Sequence, residues 1–282
     1  MGNSPEGIAA DPRTGLAVVS LRNPAQLVLL NLHTSRVVRR IPIRGPARHL
    51  QLARPGGPVL VPEEPVNTLL ELALPSGRSS STAVGAHPHD AAAAGPIVFV
   101  SDEFGRSISA LKGTRVIAMI PGFVQPGGIA TVGSDVAVVD VRANSVTLID
   151  ANTLRVRGRL PAGRGPTHVV AGRGGVIYVL DTRGGGIFSY ATRPALRLLG
   201  RLSLPGGPYG IAIDNGRGRL WVALTAKDEL VELSTRGPAP SVLRSFPTGR
   251  QPNTLAVDPR TGRVLVADAG AGSVELIDPP AG

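Results

Sequence analysis

Residues 252–278 read PNTLAVDPRTGRVLVADAGAGSVELID. Three short apolar runs stand out: Leu255-Ala256-Val257, residues 263–268 and residues 273–278. The turn Asp258-Pro259-Arg260-Thr261-Gly262 separates the first two, and Gly270-Ala271-Gly272 the second two. Proline presets the second turn position, and glycine takes the φ > 0 that closes it. Runs of four to eight apolar residues between such turns are strands. Residues 5–32, PEGIAADPRTGLAVVSLRNPAQLVLLNL, repeat the same text at the other end of the chain.

The prolines that lead each unit are Pro5, Pro46, Pro88, Pro126, Pro166, Pro208 and Pro252, spaced 41, 42, 38, 40, 42 and 44 apart. A period near 40 with about four strands per unit is that of a propeller. In the fourth unit the four strands are GGIATV, DVAVVD, SVTLID and LRVRGRLP. The second and third units, LARPGGPVLVPE and AAAAGPIVFVSDE, keep the rhythm with weaker turns. The middle strands are almost wholly apolar, as expected where a sheet is covered on both faces. The expected fold is all-β: a seven-bladed β-propeller of four-stranded antiparallel blades, residues 1–282 forming one domain. Blade seven stops after its third strand, and residues 2–5 read like the tail of a fourth. The pattern therefore predicts an outer strand, and with it an export signal, upstream of Gly2; a natural three-stranded last blade is the alternative. Either way the edge at residues 273–278 is open to strand pairing.

Composition fits this class. Gly (36) and Pro (26) are high and aromatics are 3%, as in turn-rich β structure rather than a disordered chain. The absence of cysteine excludes disulfides, thiolate metal sites and a cysteine nucleophile. The net charge is +10, carried by arginine except for Lys112 and Lys227. The arginines are scattered without a run, which reads as a basic surface rather than a nucleic-acid groove. Nine aromatics, several of them in strands, are too few for base stacking, so a nucleic-acid partner is not expected. No apolar run reaches the ~20 residues of a membrane span, and the N-terminus has no charged and apolar leader.

The pattern P-x-G-I-A-x-D-P-R-T-G, followed by V and V-x-x-I-D runs, resembles the YVTN-type bacterial β-propeller repeat, with NHL-like propellers close to it. The match is tightest in units one, four, six and seven. The resemblance implies an exported, extracytoplasmic binding or scaffold protein and no single activity. Residues 208–224, PYGIAIDNGRGRLWVAL, are also similar to units of propeller lyases and lactonases that hold a divalent cation.

Strand direction alternates within a blade. The segment leading into each first strand and the turn after each second strand must therefore share one face, here called upper. The leading segments supply Glu6, Arg48, His49, His87, His89, Asp90, Thr167, His168, Tyr209 and Asn253. The turns supply Arg22, Glu63, Glu64, Asp102, Glu103, Phe104, Asp140, Asp181 and Asp268, among others. Of five histidines only His33 lies outside the leading segments. Imidazoles there bind metal, contact a ligand or satisfy strand-end backbone groups. The aspartate that recurs after strand two is expected to accept backbone N–H groups in an Asx turn. Glu63-Glu64 and Asp102-Glu103 are less repetitive and rank as site candidates. Phe104, Phe123 and Tyr209 either rim a shallow site or pack over the blade tops; Trp221 is expected in the core.

The candidate site is thus Arg48, His49, Glu63, Glu64, His87, His89, Asp90, Asp102, Glu103, Phe104, His168 and Tyr209. It is expected to bind a protein or small-molecule ligand without catalysis and without a cofactor. The alternative is a metal-dependent lyase or lactonase built on His89, Asp90 and His168 with Glu6 or Glu103.

Overall fold

The computed structural model describes residues 3–280. Seven antiparallel sheets stand around an axis, six of four strands and the last of three. The innermost strands are Asn3–Asp11, Gln51–Leu52, Pro88–Ala94, Pro126–Val132, Pro166–Ala171, Pro208–Asp214 and Pro252–Val257. Each contacts the next, and the last contacts the first, so the ring is closed. Among the described residues the only helical pieces are single 3-10 turns at Glu64–Val66 and Arg173–Gly175, and no helix is long and apolar enough to cross a membrane.

The physical logic runs from the middle strands outward. Val18 and Val19, Val136 to Val139 and Val264 to Val266 are essentially inaccessible, because alternate side chains enter the seams on both sides of their sheet. Ala17, Val19, Val28, Leu265 and Ala267 fill the seam that closes blade seven on blade one. Trp221 lies in the seam between blades six and seven, as expected. The seam between blades two and three is the thinnest, built on Leu60, Leu69, Ala91, Val100 and Leu111. It joins the two units with the weakest turns, and in blade two the inner strand shrinks to Gln51–Leu52.

The turns behave as their chemistry requires. Asp11 accepts Arg13 N at 3.1 Å and Thr14 Oγ1 at 2.6 Å, and Gly15 closes the turn at φ +68°. It also accepts Gly56 N of blade two at 2.8 Å. Scattered arginines span the seams instead of forming a patch. Arg39 donates to Ser76 O at 2.7 Å, Arg159 to Gly122 O at 2.8 Å, Arg157 to Pro194 O at 3.2 Å and Arg217 to Pro259 O at 3.1 Å. Arg263 reaches Leu32 O at 3.1 Å and so ties blade seven to blade one. Blade seven ends at Ser273–Ile277, whose outer side has no strand among the described residues. Gly2 lies outside the described residues.

Candidate functional site

The inner strands are bulged near their upper ends. Register slips between Pro5 and Ile8, Pro126 and Ile129, Pro166 and His168, Pro208 and Ile211, and Pro252 and Thr254, and in blade three next to Pro88. A bulge bends a strand and re-aims its side chains. In blade three His89 is the extra residue, between Pro88 opposite Asp102 and Asp90 opposite Ser101. In blade five Thr167 is extra and His168 pairs with Leu180. His49 precedes the short strand of blade two. These three positions turn their imidazoles into one space at the channel mouth.

His49, His89 and His168 are all buried, and one ring nitrogen from each falls within 4.8 Å of the others. His168 Nε2 lies 3.0 Å from His49 Nε2. The Tyr209 ring meets His168 edge-on, with centroids 4.6 Å apart. Burial, reinforced by the charges of His168, His89 and Arg48, holds His49 well below the ordinary histidine range. Burial also takes His168 down to about 3, with His89 and Arg48 adding to it and the Tyr209 backbone opposing it. Both rings are therefore neutral at pH 7, the form that binds metals and exchanges hydrogen bonds.

An ion-pair network lies over the histidines. Arg48 Nε donates to Glu64 and Arg48 Nη2 to Glu103 Oε2 at 2.7 Å. Glu103 Oε2 also lies 3.3 Å from His87 Nδ1 and 3.4 Å from His89 Nδ1, and Gln125 Nε2 donates to Glu103 Oε1 at 2.6 Å. Burial alone would raise Glu103, but the nearby His89, with Gln125 and Arg48, holds it well below the carboxylate range. The His87 ring lies tilted against Phe104 with centroids 4.3 Å apart, and Phe104 is 62% exposed. Asp90 faces the other way. It accepts Gln51 Nε2 at 3.0 Å, Ala91 N at 2.8 Å and Ile129 N at 3.2 Å, and burial pushes it up to about 6 against the pull of His89 and those bonds. Beneath the histidines the channel holds a cavity of about 440 Å³, walled by Ile8, Leu50, Val169, Ile211 and Leu255 and bordered by His49, His168 and Asp90.

Two candidates stand apart from the cluster. Asp102 accepts Ser107 and Ser109 hydroxyls at 2.9 and 2.8 Å. Glu63 accepts Arg44 N and the Thr68 hydroxyl, each at 2.8 Å. Glu63 is blade two's counterpart of Asp140, which accepts Val124 N at 2.7 Å, and of Asp181, which accepts Arg164 N at 2.9 Å. Glu63, Asp140 and Asp181 pin the segment leading into their own blade, whereas Asp102 bonds within its own sheet. Phe123 is buried in a blade seam under Arg159, 5.4 Å from its ring centroid, and so does not rim the mouth. Gln51 and Gln125, which orient Asp90 and Glu103, are not among the residues the sequence marks as candidates. Their one signal was position: Gln51 follows His49 by two residues, and Gln125 sits in the segment leading into blade four.

No protein-family model matches the chain, and no curated protein sequence does. Solved structures do. A chain of Kuenenia stuttgartiensis hydrazine synthase aligns with TM-score 0.87 at 15% identity over 100% of this chain and 97% of that one. Streptogramin B lyase gives 0.83 at 15% identity over 98% and 94%. The Cps50 (Swd1) β-propeller domain of Myceliophteria thermophila gives 0.84 at 11% identity over 99% and 97%. This chain is a seven-bladed β-propeller. Similarity at this level carries the fold alone, and propellers of this shape serve both as enzymes and as scaffolds.

Proposed function

We propose that the protein is a non-catalytic binding propeller, akin to the extracytoplasmic YVTN-type proteins its repeats resemble, that recognises a protein or small-molecule partner on its upper face. One observation carries the reading. Side chains of blades two and three (Arg48, Glu64, His87, Glu103 and the exposed Phe104) leave the turn-pinning roles of their neighbours and meet at the channel mouth. An aromatic beside hydrogen-bonding charged groups is the composition of a recognition centre. The lyase or lactonase alternative gains less support. Asp90 is committed to Gln51 and to backbone amides, and the carboxylates nearest the imidazoles are already paired with Arg48.

The test uses peptides selected against the purified protein from a displayed random library. Their affinity should fall by roughly tenfold or more in a His87→Ala/Phe104→Ala double variant, and should not change in Arg173→Ala, on a turn remote from the upper face. Peptides indifferent to the double variant would place recognition elsewhere.

A further inference from the structure

The three converging imidazoles form an all-nitrogen donor set. We infer that His49, His89 and His168 constitute a binding site for a borderline transition-metal cation of the Zn²⁺, Co²⁺ or Cu²⁺ class. The site lies at the same mouth as the proposed recognition surface but does not depend on any partner binding there.

Geometry is the first argument. Two imidazole nitrogens bound at about 2.0–2.1 Å to one ion stand about 2.9 Å apart at a right angle and about 3.3 Å apart in a tetrahedron. The His49 and His168 Nε2 atoms lie 3.0 Å apart, and the third donor is already within 4.8 Å. Bringing it in takes a shift of about 1.5 Å, which a small side-chain rotation supplies.

The second argument is what the cluster lacks. All three rings are more than nine-tenths buried: His49 is 8% exposed, His89 6% and His168 6%. One contact joins the Nε2 atoms of His49 and His168, while Nδ1 of His89 and of His168 makes no well-formed hydrogen bond. Three imidazoles packed together gain little from one another, because each contact needs a donor on one ring and an acceptor on the other. A cation uses every lone pair at once.

The outer groups suit metal-bound rings. Metal-ligating histidines present their second nitrogen to a carboxylate or a carbonyl. Glu103 Oε2 stands 3.4 Å from His89 Nδ1 and is itself held by Gln125. Glu103 is thus a positioning residue, which holds the Nδ1 side of the His89 ring. Donor chemistry chooses the metal: Mg²⁺ and Ca²⁺ take oxygen ligands, whereas imidazole suits Zn, Cu, Co and Ni. Three protein ligands leave a coordination position for water or a donor from a bound molecule.

The test is metal analysis of untagged, full-length protein, stripped with chelator and titrated with Zn²⁺ and Co²⁺. The expected result is one equivalent of tightly bound Zn²⁺, unmoved by excess Mg²⁺ or Ca²⁺, and a Co²⁺ visible spectrum typical of nitrogen ligation. His49→Gln, His89→Gln and His168→Gln should each weaken Zn²⁺ by roughly a hundredfold, and Glu103→Gln by about tenfold with a shifted Co²⁺ spectrum. His33→Ala should bind as wild type. If the glutamine variants fail to fold, imidazole proton signals of the wild type decide: Zn²⁺ should move three of the five histidines. Absence of stoichiometric metal, retention of metal in the folded glutamine variants, or movement of His33 or His87 in place of the cluster overturns the inference.

Discussion

Asp102 and Glu103 are adjacent in sequence and opposite in electrostatics. Burial raises Asp102 to about 6, with the Ser109 and Ser107 hydroxyls only partly opposing it. Glu103 is held low by His89, Gln125 and Arg48 against its own burial. The pH dependence follows by linkage. A carboxyl raised in the folded state contributes stability that is complete below its unfolded pKa near 4 and is lost as pH rises through about 6. A depressed carboxylate contributes stability that is present above its unfolded value and is lost as pH falls. Urea midpoints of Asp102→Asn should therefore lack a decline that wild type shows between pH 4 and 7, a difference of up to about 3 kcal/mol. Glu103→Gln should instead lose stability chiefly at neutral pH and converge on wild type in acid. Parallel pH profiles for the two variants would refute this assignment. Arg48 gives a related expectation. It holds Glu64 and Glu103 through two different nitrogens of a planar fork, so Arg48→Lys cannot reproduce both bonds. Removal of the guanidinium in Arg48→Gln should cost about 2–4 kcal/mol at pH 7, less in acid, read as a fall in Tm.

At the scale of strands, the inner ring is held open for histidine by glycine opposite it. A Cβ on Gly128 would stand 2.7 Å from the His168 Cα and 2.8 Å from Thr167 O, both backbone atoms of the next blade. Gly128→Ala should therefore push blade five's bulge aside. The expected cost is about 1–3 kcal/mol, together with altered imidazole proton signals from His168, whereas Gly133→Ala, strained at φ +63° but with nothing within 4 Å of the added Cβ, should cost about 1 kcal/mol and leave those signals in place. The outer turns follow a second rule. Arg217 pairs with Asp214 at 2.8 Å and donates to Pro259 and Arg260 carbonyls across the seam. Its side chain is 44% exposed, so screening limits Arg217→Ala to about 1 kcal/mol, measurable as a small shift in urea midpoint without change in slope.

At the scale of the whole molecule, six blades present a third strand paired on both sides, and among the described residues the seventh does not. Amides of Ser273–Ile277 should exchange with solvent roughly tenfold or more faster than those of Ser145–Asp150, the equivalent strand of blade four, since unpaired edges open at low cost. Equal protection would mean that something covers the edge.

Much of this architecture could be read from the chain before any coordinates. The 40-residue period, the Asp-Pro-Arg-Thr-Gly turns and the unbroken apolar second strands are local or periodic features, and each reflects backbone chemistry acting over a few residues. They determined the number of blades, the three-stranded last blade and the face on which the histidines gather. Tertiary structure alone decided which histidines meet. His49, His89 and His168 come from blades two, three and five, and what unites them is bulge geometry and the curvature of the ring, neither of which leaves a spacing in the sequence. The same reason separates Asp102 from Glu103. Successive side chains of a strand end point to opposite sides, so one bonds Ser107 and Ser109 of its own sheet while the other reaches Arg48 and His89 at the channel mouth.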